Sequence, residues 1–494
     1  MASNRNGTSL AATLAVVVVS ILMMLTVGTS AAAPTTTAPA STFGGHHAIV
    51  VLPTGSNDTS NLQAAFDACT GHGWTCTIQL VKGTYHTAQI VAFGFQGSFV
   101  GAGQGATTIL AQPNLPSPAP AHDTPTISFW TGLPGPQNPW PVLFTFVNGA
   151  LLMSGMTLTD TYAAPVPQGY YLADGSFHTN LDAMVGFTGL QDSVSVSQVS
   201  ILGAPGSDYG LNLEDGFWYM GLMLPAGWTD EIADLIPLSG VLTLTQSHVT
   251  AAAFSLSYDN TVNATAIVCS NTFDSAAAMG SLFGDLSNTV ILYCSNRVTN
   301  VYGYGAVEAY GTVYEASATP STMYILNNYF EVSSGASPVD VGDFQATPTF
   351  SVVISGNYGL TDTSCGCYPP ANPGYAAILS WYLKSVVISN NLLIGGASPG
   401  IYVAGGPAVI AGNVVPGTYV GVWVDYANDV QVIRNVVPDS GLYGIAVTDG
   451  SSNVTVVHNV VTNSGTADLY WDGTGTGDVW AHNICQTSIP SGLC

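Results

Sequence analysis

Short runs in which apolar and small polar residues alternate recur through the second half of the chain, and each run ends in asparagine. SVVISGN, SVVISNN and TVVHN are examples, rich in the β-branched residues that strands favour. Because side chains of a strand point alternately to opposite faces, this pattern predicts half-buried strands that each end at a turn. The asparagines are Asn271, Asn296, Asn328, Asn357, Asn391, Asn413, Asn435, Asn459 and Asn483.

The spacing of these asparagines predicts a solenoid. The last four intervals are 22, 22, 24 and 24 residues, whereas earlier intervals reach 34 residues and indicate inserted loops. A propeller blade needs about 40 residues, and the β-branched content excludes a helical solenoid. A parallel β-helix fits, because each coil adds one strand to each of several sheets and equivalent residues stack about 4.8 Å apart. Stacked asparagines would form a hydrogen-bonded ladder, and Asn tolerates the left-handed backbone of a turn.

The beginning of the solenoid is predicted to be covered by a helix, since the apolar ends of such folds need a cap. The segment 61–69, NLQAAFDAC, places Leu62 and Phe66 on one helical face. Thr59 or Ser60 is the predicted N-cap residue. Two further segments follow, TIQLVKGTYHT and SFVGAGQGATTIL.

These motifs carry a family resemblance. A polar turn, a capping helix, a strand, KGTY and a G-x-G-x-x-x-T run closely resemble the start of the pectate-lyase-like right-handed β-helix superfamily. The coils that end in asparagine resemble the body of the same fold, so the likeness covers about 47–110 and 240–494. It implies an all-β, single-stranded, right-handed parallel β-helix with an N-terminal capping helix and an asparagine ladder. It does not fix an activity, because this superfamily includes lyases, hydrolases, epimerases, adhesins and phage tailspikes.

The amino terminus has the pattern of an export signal. Arg5 precedes an apolar run that ends near Val27, and small residues follow at a position suited to cleavage. We expect a signal peptide over 1–33 and a Pro/Thr/Ala linker over 34–45, and therefore a secreted or cell-surface protein. An uncleaved membrane anchor is the alternative, because the run approaches the roughly 20 residues that span a bilayer.

The remainder, 46–494, is predicted to be one β-helix domain. Its N-terminal cap and first coils occupy 46–110, loop-rich coils occupy 111–236, and regular coils occupy 237–494. The middle part is rich in Pro, Gly and aromatic residues. In enzymes of the superfamily such excursions wall a substrate groove; a capping or oligomer surface is the alternative.

Charge excludes several classes of partner. The chain has 5 Lys and Arg against 29 Asp and Glu, and a formal net charge of −24. It cannot bind nucleic acid by neutralising phosphates, and an anionic membrane surface is equally disfavoured. Scarce cations with abundant carboxylates suggest an acidic habitat, because protonated acids would otherwise leave a large positive charge. Salt adaptation is the alternative.

The eight cysteines fit an oxidising compartment. Cys269 and Cys294 each stand two residues before a ladder asparagine, so they should stack, either as a disulfide or as two buried thiols. The other cysteines bracket a short loop (Cys69 and Cys76), form a C-x-C (Cys365 and Cys367), or close the C-terminal tail (Cys485 and Cys494).

Two known chemistries of the superfamily lack their signatures. None of the basic residues after the signal, Lys82, Arg297, Lys384 and Arg434, stands in a pectate-lyase context. Polygalacturonase-like hydrolases use N-T-D, D-D, G-H-G and R-x-K motifs. Here the G-H-G of Gly71–Gly73 lies in the cap and no R-x-K occurs.

Paired carboxylates offer a more general chemistry, since glycosidases use two acids about 5 to 10 Å apart. Asp259, Asp285 and Asp343 stand 12, 11 and 14 residues before their asparagines and would end equivalent strands, stacked along one edge. Their alternative role is to form turns, which Asp favours. The same alternatives hold for Asp425, Asp449 and Asp472. The predicted catalytic or Ca²⁺-binding carboxylates are Asp259, Asp285, Asp343, Glu214 and Asp215; Glu308 with Tyr310 fills the matching part of the coil between two of them.

Aromatic residues near these acids are candidates for stacking on sugar rings, or else they are core residues. The predicted substrate-binding residues are Trp218, Tyr310, Trp381 and Trp423. His458 and His482 directly precede ladder asparagines, where stacked histidines could bind copper or zinc, but an exposed turn explains them equally, and no metal site is assigned.

The sequence thus favours a carbohydrate-active protein that acts on extracellular polysaccharide under acidic conditions, as a hydrolase or lyase, with Ca²⁺ as an open possibility. The rival interpretation is a non-catalytic, adhesive β-helix that binds cell-surface glycans.

Overall fold

The chain coils so that each turn adds one strand to each of three parallel sheets. The computed structural model describes residues 47–494, apart from 72–75, 89, 112–141, 161–169, 172–176, 179–182, 203–214, 221–237, 252–254, 260, 276–279, 302–304, 312–318, 334–335, 344, 346, 362–375 and 396–398. Residues His46–Cys494 form one compact unit. The predicted signal peptide and linker lie outside the described residues.

Sheet 1 carries the alternating runs found in the sequence, because its strands bury every second side chain and expose the others. Its strands pair in parallel from one coil to the next. They are His47–Val51, Cys76–Leu80, Gln96–Val100, Leu238–Thr245, Thr261–Cys269, Val290–Cys294, Ser321–Leu326, Phe350–Ser355, Ser385–Ser389, Ala408–Ala411, Val430–Ile433, Thr455–Val457 and Val479–Ala481.

Sheet 2 follows sheet 1 within each coil, after the ladder asparagine. Its strands are Gly83–Thr87, Thr107–Ala111, His248–Ala251, Thr272–Ser275, Arg297–Val301, Tyr329–Val332, Tyr358–Thr361, Leu392–Ile394, Val436–Pro438 and Val460–Thr462. Two longer strands, Val142–Asp160 and Ala183–Leu202, run through all three sheets in turn. A separate antiparallel pair joins Tyr170–Tyr171 to Phe177–His178.

Sheet 3 completes each coil and differs from the other two sheets, because side chains on both of its faces are buried in its central strands. Its strands are Ile90–Phe93, Asp215–Met220, Leu256–Asp259, Ser281–Ser287, Gly305–Gly311, Ser337–Gly342, Ile378–Trp381, Ile401–Ala404, Val420–Asp425, Tyr443–Thr448, Ala467–Trp471 and Ser488–Ile489. A polar residue on its outer face is therefore desolvated, which matters for the site described below.

The nine predicted asparagines form a continuous buried ladder between sheets 1 and 2. In each step, the backbone N–H and the side-chain amide of one Asn donate to the Oδ1 of the next, as Asn391 does to Asn413 at 3.0 and 2.9 Å. The side-chain amide also donates to a main-chain carbonyl of sheet 1. The ladder begins where Ser247 N donates to Asn271 Oδ1. The sequence prediction is confirmed in every coil that it named.

One detail of the ladder differs from the prediction. The left-handed residue is the one before each ladder Asn, as for Ser270, Arg434 and His458, with φ between 54° and 61°. The ladder Asn itself keeps an ordinary backbone and uses its side chain for the stack. Each turn therefore uses two adjacent residues: the first adopts the left-handed backbone, and the second, the ladder Asn, makes the stacked hydrogen bonds.

The capping helix spans Thr59–Cys69 and begins two residues earlier than predicted. Leu62 and Phe66 are buried, and the Phe66 ring contacts that of Phe99 at 5.1 Å. Neither predicted residue is the N-cap: Asp58 holds that position. Its carboxylate accepts hydrogen bonds from the backbone N–H of Thr54 and of His86 instead of from the helix.

Three disulfides fasten the described chain. Cys269 and Cys294 are register neighbours on sheet 1 and form a disulfide, with Cα atoms 4.6 Å apart. Of the two alternatives left open by the sequence, the structure has the disulfide and not two buried thiols. Cys69–Cys76 ties the capping helix to the first coil. Cys485–Cys494 closes the C-terminal tail. Cys365 and Cys367 lie outside the described residues.

A glycine begins several sheet 3 strands for a steric reason. A Cβ on Gly400, Gly421 or Gly444 would lie 2.1 Å from a Cγ1 of a buried valine, so no larger side chain fits without displacement. This contact explains the recurring GIYV, GVWV and GIAV segments of the sequence.

Candidate functional site

Three polar side chains meet on the outer face of sheet 3. Glu308 and Tyr310 lie on one strand and Asp340 on the next, where Glu308 and Asp340 are register partners. Their neighbours Val307 and Ala309 belong to the interior core, so by alternation the polar residues point outward. The Tyr310 hydroxyl lies 3.1 Å from Glu308 Oε2 and 3.3 Å from Asp340 Oδ2, and so bridges two carboxyl groups.

The surroundings of the two carboxyls differ. Glu308 is 3% exposed, and its Oε1 accepts a 2.6 Å hydrogen bond from the Gly305 N–H. Asp340 Oδ1 is buried and has no hydrogen-bond partner within the described part of the chain. Both carboxyl oxygens of Glu308 thus accept hydrogen bonds, whereas Asp340 has one buried oxygen without a hydrogen-bond partner in the described part of the chain.

Burial controls the electrostatics of this acid cluster (Glu308, Tyr310 and Asp340). Desolvation, reinforced by the charge of Glu308, raises the pKa of Asp340 to about 7. Desolvation also raises the pKa of Glu308, although hydrogen bonds from Gly305 and Tyr310 oppose it. Burial and the two neighbouring acids raise the pKa of Tyr310, so the phenol stays protonated and donates. A carboxyl that keeps its proton up to neutral pH is a candidate general acid.

The raised pKa of Asp340 predicts a pH-dependent stability. Its folded pKa, about 7, exceeds the ordinary value of 3.8, so the folded state binds the proton more tightly. The stabilising contribution is complete below about pH 4 and is lost as the pH rises through about 7. Asp340→Asn should therefore match the wild type near pH 3 and exceed its unfolding free energy by about 4 kcal/mol near pH 8.

Chemical unfolding across this pH range measures the difference. Glu331→Gln, on the outer face of sheet 2, is the matched control and should show no such divergence. Equal pH dependence in wild type and Asp340→Asn would contradict the assignment.

An aromatic row continues the same outer face toward the C-terminus. Asp340, Leu379, Tyr402 and Trp423 are successive register partners. The Tyr402 ring lies 5.0 Å from Trp381 and 5.5 Å from Trp423, between centroids. These side chains form an apolar cluster that is separate from the interior core. Trp381 and Trp423 are partly buried in this outer cluster. Trp471, by contrast, packs against the interior core.

A second carboxylate group lies beyond this row. Asp425 accepts hydrogen bonds from the Tyr402 hydroxyl at 2.8 Å and the Thr448 hydroxyl at 2.6 Å. A hydrogen bond to Asp425 raises the pKa of Asp449. Asp425 pairs in register with Thr448, so Asp425 and Asp449 are not equivalent positions, contrary to the prediction from their spacing.

The predicted carboxylates fall at different places. Asp343 is fully buried and accepts hydrogen bonds from the backbone N–H of Gln345, Thr349 and Phe350, which holds a turn. Asp285 is partly buried at an irregularity of its strand, with φ 45°. Asp259 pairs with Met220 and is one residue out of step with Asp285 in the register of the two strands. The expected stacked edge of Asp259, Asp285 and Asp343 is therefore not formed.

The remaining predicted site residues form two groups, those on the outer face of sheet 3 and those that the structure does not describe. Tyr310, Trp381 and Trp423 lie on the outer face of sheet 3 together with the acid cluster. Asp215 and Trp218 are in a strand of the same sheet, but their side chains, like the whole of Glu214, lie outside the described residues.

Asp340 was missed by the sequence reasoning, and so was Tyr402. Asp340 stands 17 residues before Asn357, and the segment after it is longer than in the later coils, so counting back from the ladder pointed to Asp343. The usable signal was the strand itself: VEAY and VDVG place an acid between two inward-facing residues.

Metal ligands do not cluster in the part of the chain that the structure describes, where no group of three or more His, Cys, Asp or Glu could hold an ion. His458 and His482 stack with their rings 5.1 Å apart at the ladder turn.

Comparisons with known proteins agree with this architecture. Residues 349–483 match the family model described as the right handed beta helix region. A similar solved structure is the pre-mature gene product 12 of bacteriophage phi29, 12% identical, with a TM-score of 0.53; the match covers 88% of this chain and 56% of that one. No curated protein matches the sequence.

Two further solved structures are similar at lower scores. The A-module of mannuronan C-5 epimerase AlgE6 from Azotobacter vinelandii is 13% identical, with 87% and 93% of the two chains covered and a TM-score of 0.33. The catalytic unit of a GH87 α-1,3-glucanase from Streptomyces thermodiastaticus is 15% identical, with 88% and 70% covered and a TM-score of 0.44. At these identities the likeness concerns the fold alone. The chain has the right-handed parallel β-helix fold.

Proposed function

We propose that this protein is an exported glycoside hydrolase that acts on extracellular polysaccharide at acidic pH, with Glu308 and Asp340 as its catalytic carboxyls. The observation that carries the proposal is the bridged pair itself: two carboxyls on adjacent strands share the Tyr310 hydroxyl, and one of them keeps its proton up to about neutral pH. A protonated acid beside a second carboxylate is what glycosidic cleavage requires.

The spacing of the pair favours a retaining mechanism. Side chains opposite each other on neighbouring strands start about 4.8 Å apart, near the separation of about 5 Å in retaining enzymes. Asp340 would donate its proton to the glycosidic oxygen as the bond to the leaving sugar breaks, while Glu308 attacks the anomeric carbon. Asp340, now a carboxylate, would then deprotonate a water that displaces Glu308 from the sugar.

Tyr310 and Gly305 would orient the nucleophile. The Tyr310 hydroxyl donates to Glu308 Oε2, and the Gly305 N–H donates to Oε1. Because the pKa of Tyr310 is raised, its phenol keeps the donor proton throughout. Tyr310 is thus a positioning residue rather than a base, which separates this proposal from a lyase that would need a strong base.

The aromatic row supports a sugar polymer as substrate. Trp381, Tyr402 and Trp423 lie along the coil axis beside the acid pair, and flat amphipathic side chains suit pyranose faces. A polymer aligned with the axis would contact one coil after another.

Export is supported by the three disulfides, which persist in oxidising compartments. Among the described residues, none of the helices has the length and apolar character needed to cross a bilayer.

The test is to incubate the purified mature chain with a panel of polysaccharides from about pH 2 to pH 7, a range that spans the carboxyl pKa values. Mass spectrometry identifies the products. Saturated oligosaccharides with retained anomeric configuration, formed fastest below the pKa of Asp340, are expected. Unsaturated ends would mean a lyase and would overturn the hydrolytic mechanism.

A glycan-binding protein without turnover is the second candidate. The 3% exposure of Glu308 favours it, because a nucleophile needs access to its substrate, whereas the aromatic row can bind a glycan without chemistry. Retained binding with no product from any polysaccharide would support this candidate.

A further inference from the structure

We infer that the glycan recognised at this site carries no negative charge: it is a neutral polysaccharide or one whose amino groups are protonated, and not a polyuronate. This inference rests on the proposed function, because it names the substrate class of the same outer face. It is carried by the positions of the Lys and Arg residues in the part of the chain that the structure describes.

None of the Lys and Arg residues of the described coils stands in a strand of sheet 3, and Lys384 comes three residues after the end of one such strand, Trp381. Arg297 begins a strand of sheet 2, and Lys82 directly precedes another. Lys384 directly precedes a strand of sheet 1, and Arg434 lies at the turn from sheet 1 to sheet 2. Arg297 pairs with Glu331 at 3.3 Å on sheet 2, and Arg5 stands in the predicted signal peptide.

The longer undescribed connections add neither Lys nor Arg, although 112–141 contains His122. The longer ones, such as 112–141, 221–237, 312–318 and 362–375, all lead into or out of sheet 3, so they border the candidate site in the chain. The sequence contains no Lys or Arg in any of them.

The same face is rich in acids. Glu308 and Asp340 are followed along the axis by Asp425 and Asp449. A polyuronate would bring one carboxylate per sugar against the nucleophile Glu308 with neither Lys nor Arg in the strands of this sheet to compensate, and like charges in contact cost several kcal/mol. A neutral sugar needs only stacking and hydroxyl hydrogen bonds, which Trp381, Trp423 and the unsatisfied Asp340 Oδ1 offer. A protonated amino sugar would gain attraction besides.

The experiment separates binding from turnover. Glu308→Gln, which keeps the shape of the side chain, is titrated with a neutral glucan, a xylan, chitosan, polygalacturonate and alginate. Binding is measured by affinity electrophoresis and calorimetry at about pH 5 and about pH 7, so that both charge states of histidine are sampled. Polygalacturonate methyl ester is the matched control, since it has the same sugar without the charge.

At least one uncharged or amino glycan should bind, and the uronates should bind at least about 100-fold more weakly. Added salt should weaken the binding of chitosan and strengthen that of the uronates, because it screens both the attraction of the amino groups and the repulsion of the carboxylates. Tight binding of a uronate, with or without added Ca²⁺, overturns the inference, and so does a failure of every neutral and amino glycan to bind. Products formed by the wild type test the hydrolase separately, so binding without products would refute the proposed function alone.

Discussion

Glu308→Gln is expected to lower the turnover of the cleaved polysaccharide by at least about 100-fold, with little change in glycan binding. The amide keeps the volume of the side chain, and its oxygen can still accept from the Gly305 N–H, while its NH2 can donate to the Tyr310 hydroxyl oxygen. It cannot attack the anomeric carbon. Initial rates of reducing-end release at the pH optimum measure the effect, and thermal unfolding verifies the fold.

Two companions make this result specific to catalysis. Glu331→Gln removes a solvent-facing carboxylate on sheet 2 and should retain wild-type turnover. Glu308→Ala with added azide should regain part of its activity and release a glycosyl azide of inverted configuration, because the small anion replaces the nucleophile. Full activity of Glu308→Gln would show that Glu308 is not the nucleophile. If Glu308→Gln does not fold, Glu308→Asp is assayed with azide in its place.

Asn413→Ala is expected to destabilise the protein by about 4 kcal/mol or more, the largest stability effect that we predict for a single side chain. Asn413 Oδ1 accepts from the backbone and the side chain of Asn391, and its amide donates to Ile388 O and to Asn435 Oδ1, each at 2.9 to 3.0 Å. The site is fully buried, so water cannot replace these partners.

Denaturant unfolding measures the loss, and hydrogen exchange should show that the Asn391 amide loses protection first. Asn463→Gly is the control. Asn463 is exposed with φ 60° and makes one side-chain hydrogen bond, to Asp439 at 3.2 Å, so its loss should cost little. If both variants unfold within about 1 kcal/mol of each other, the ladder does not stabilise the coils as argued.

Local patterns predicted the scaffold because their physical causes are local. Alternation specified the strands of sheet 1, and a fixed turn between sheets 1 and 2 specified the ladder. Equal distance from the ladder also placed Cys269 beside Cys294, since no insertion separates them from their asparagines. The helix start was wrong by two residues because Asp58 is held by Thr54 and His86 rather than by the helix.

The candidate site could not be predicted in the same way. Counting back from the ladder crosses the connection between sheets 3 and 1, whose length changes from coil to coil. Counting therefore selected Asp343, whereas the register pairs Glu308 with Asp340, and the Asp343 carboxylate accepts hydrogen bonds within a turn. The sequence of one strand does not show which residue of the next strand lies beside it. The contact of Tyr310 with both Glu308 and Asp340 could therefore be found only from the strand register.

The sequence by itself determined the solenoid, its asparagine ladder, its capping helix and the scarcity of cations on which our inference about the substrate class rests. These depend on spacing within a coil and on composition. Only the tertiary structure decided which acids meet, that Tyr310 bridges them, and that burial raises the pKa of Asp340 to about 7. The physical reason is that pairing and desolvation depend on neighbours one coil away, and the variable connections at sheet 3 separate those neighbours by no fixed number of residues.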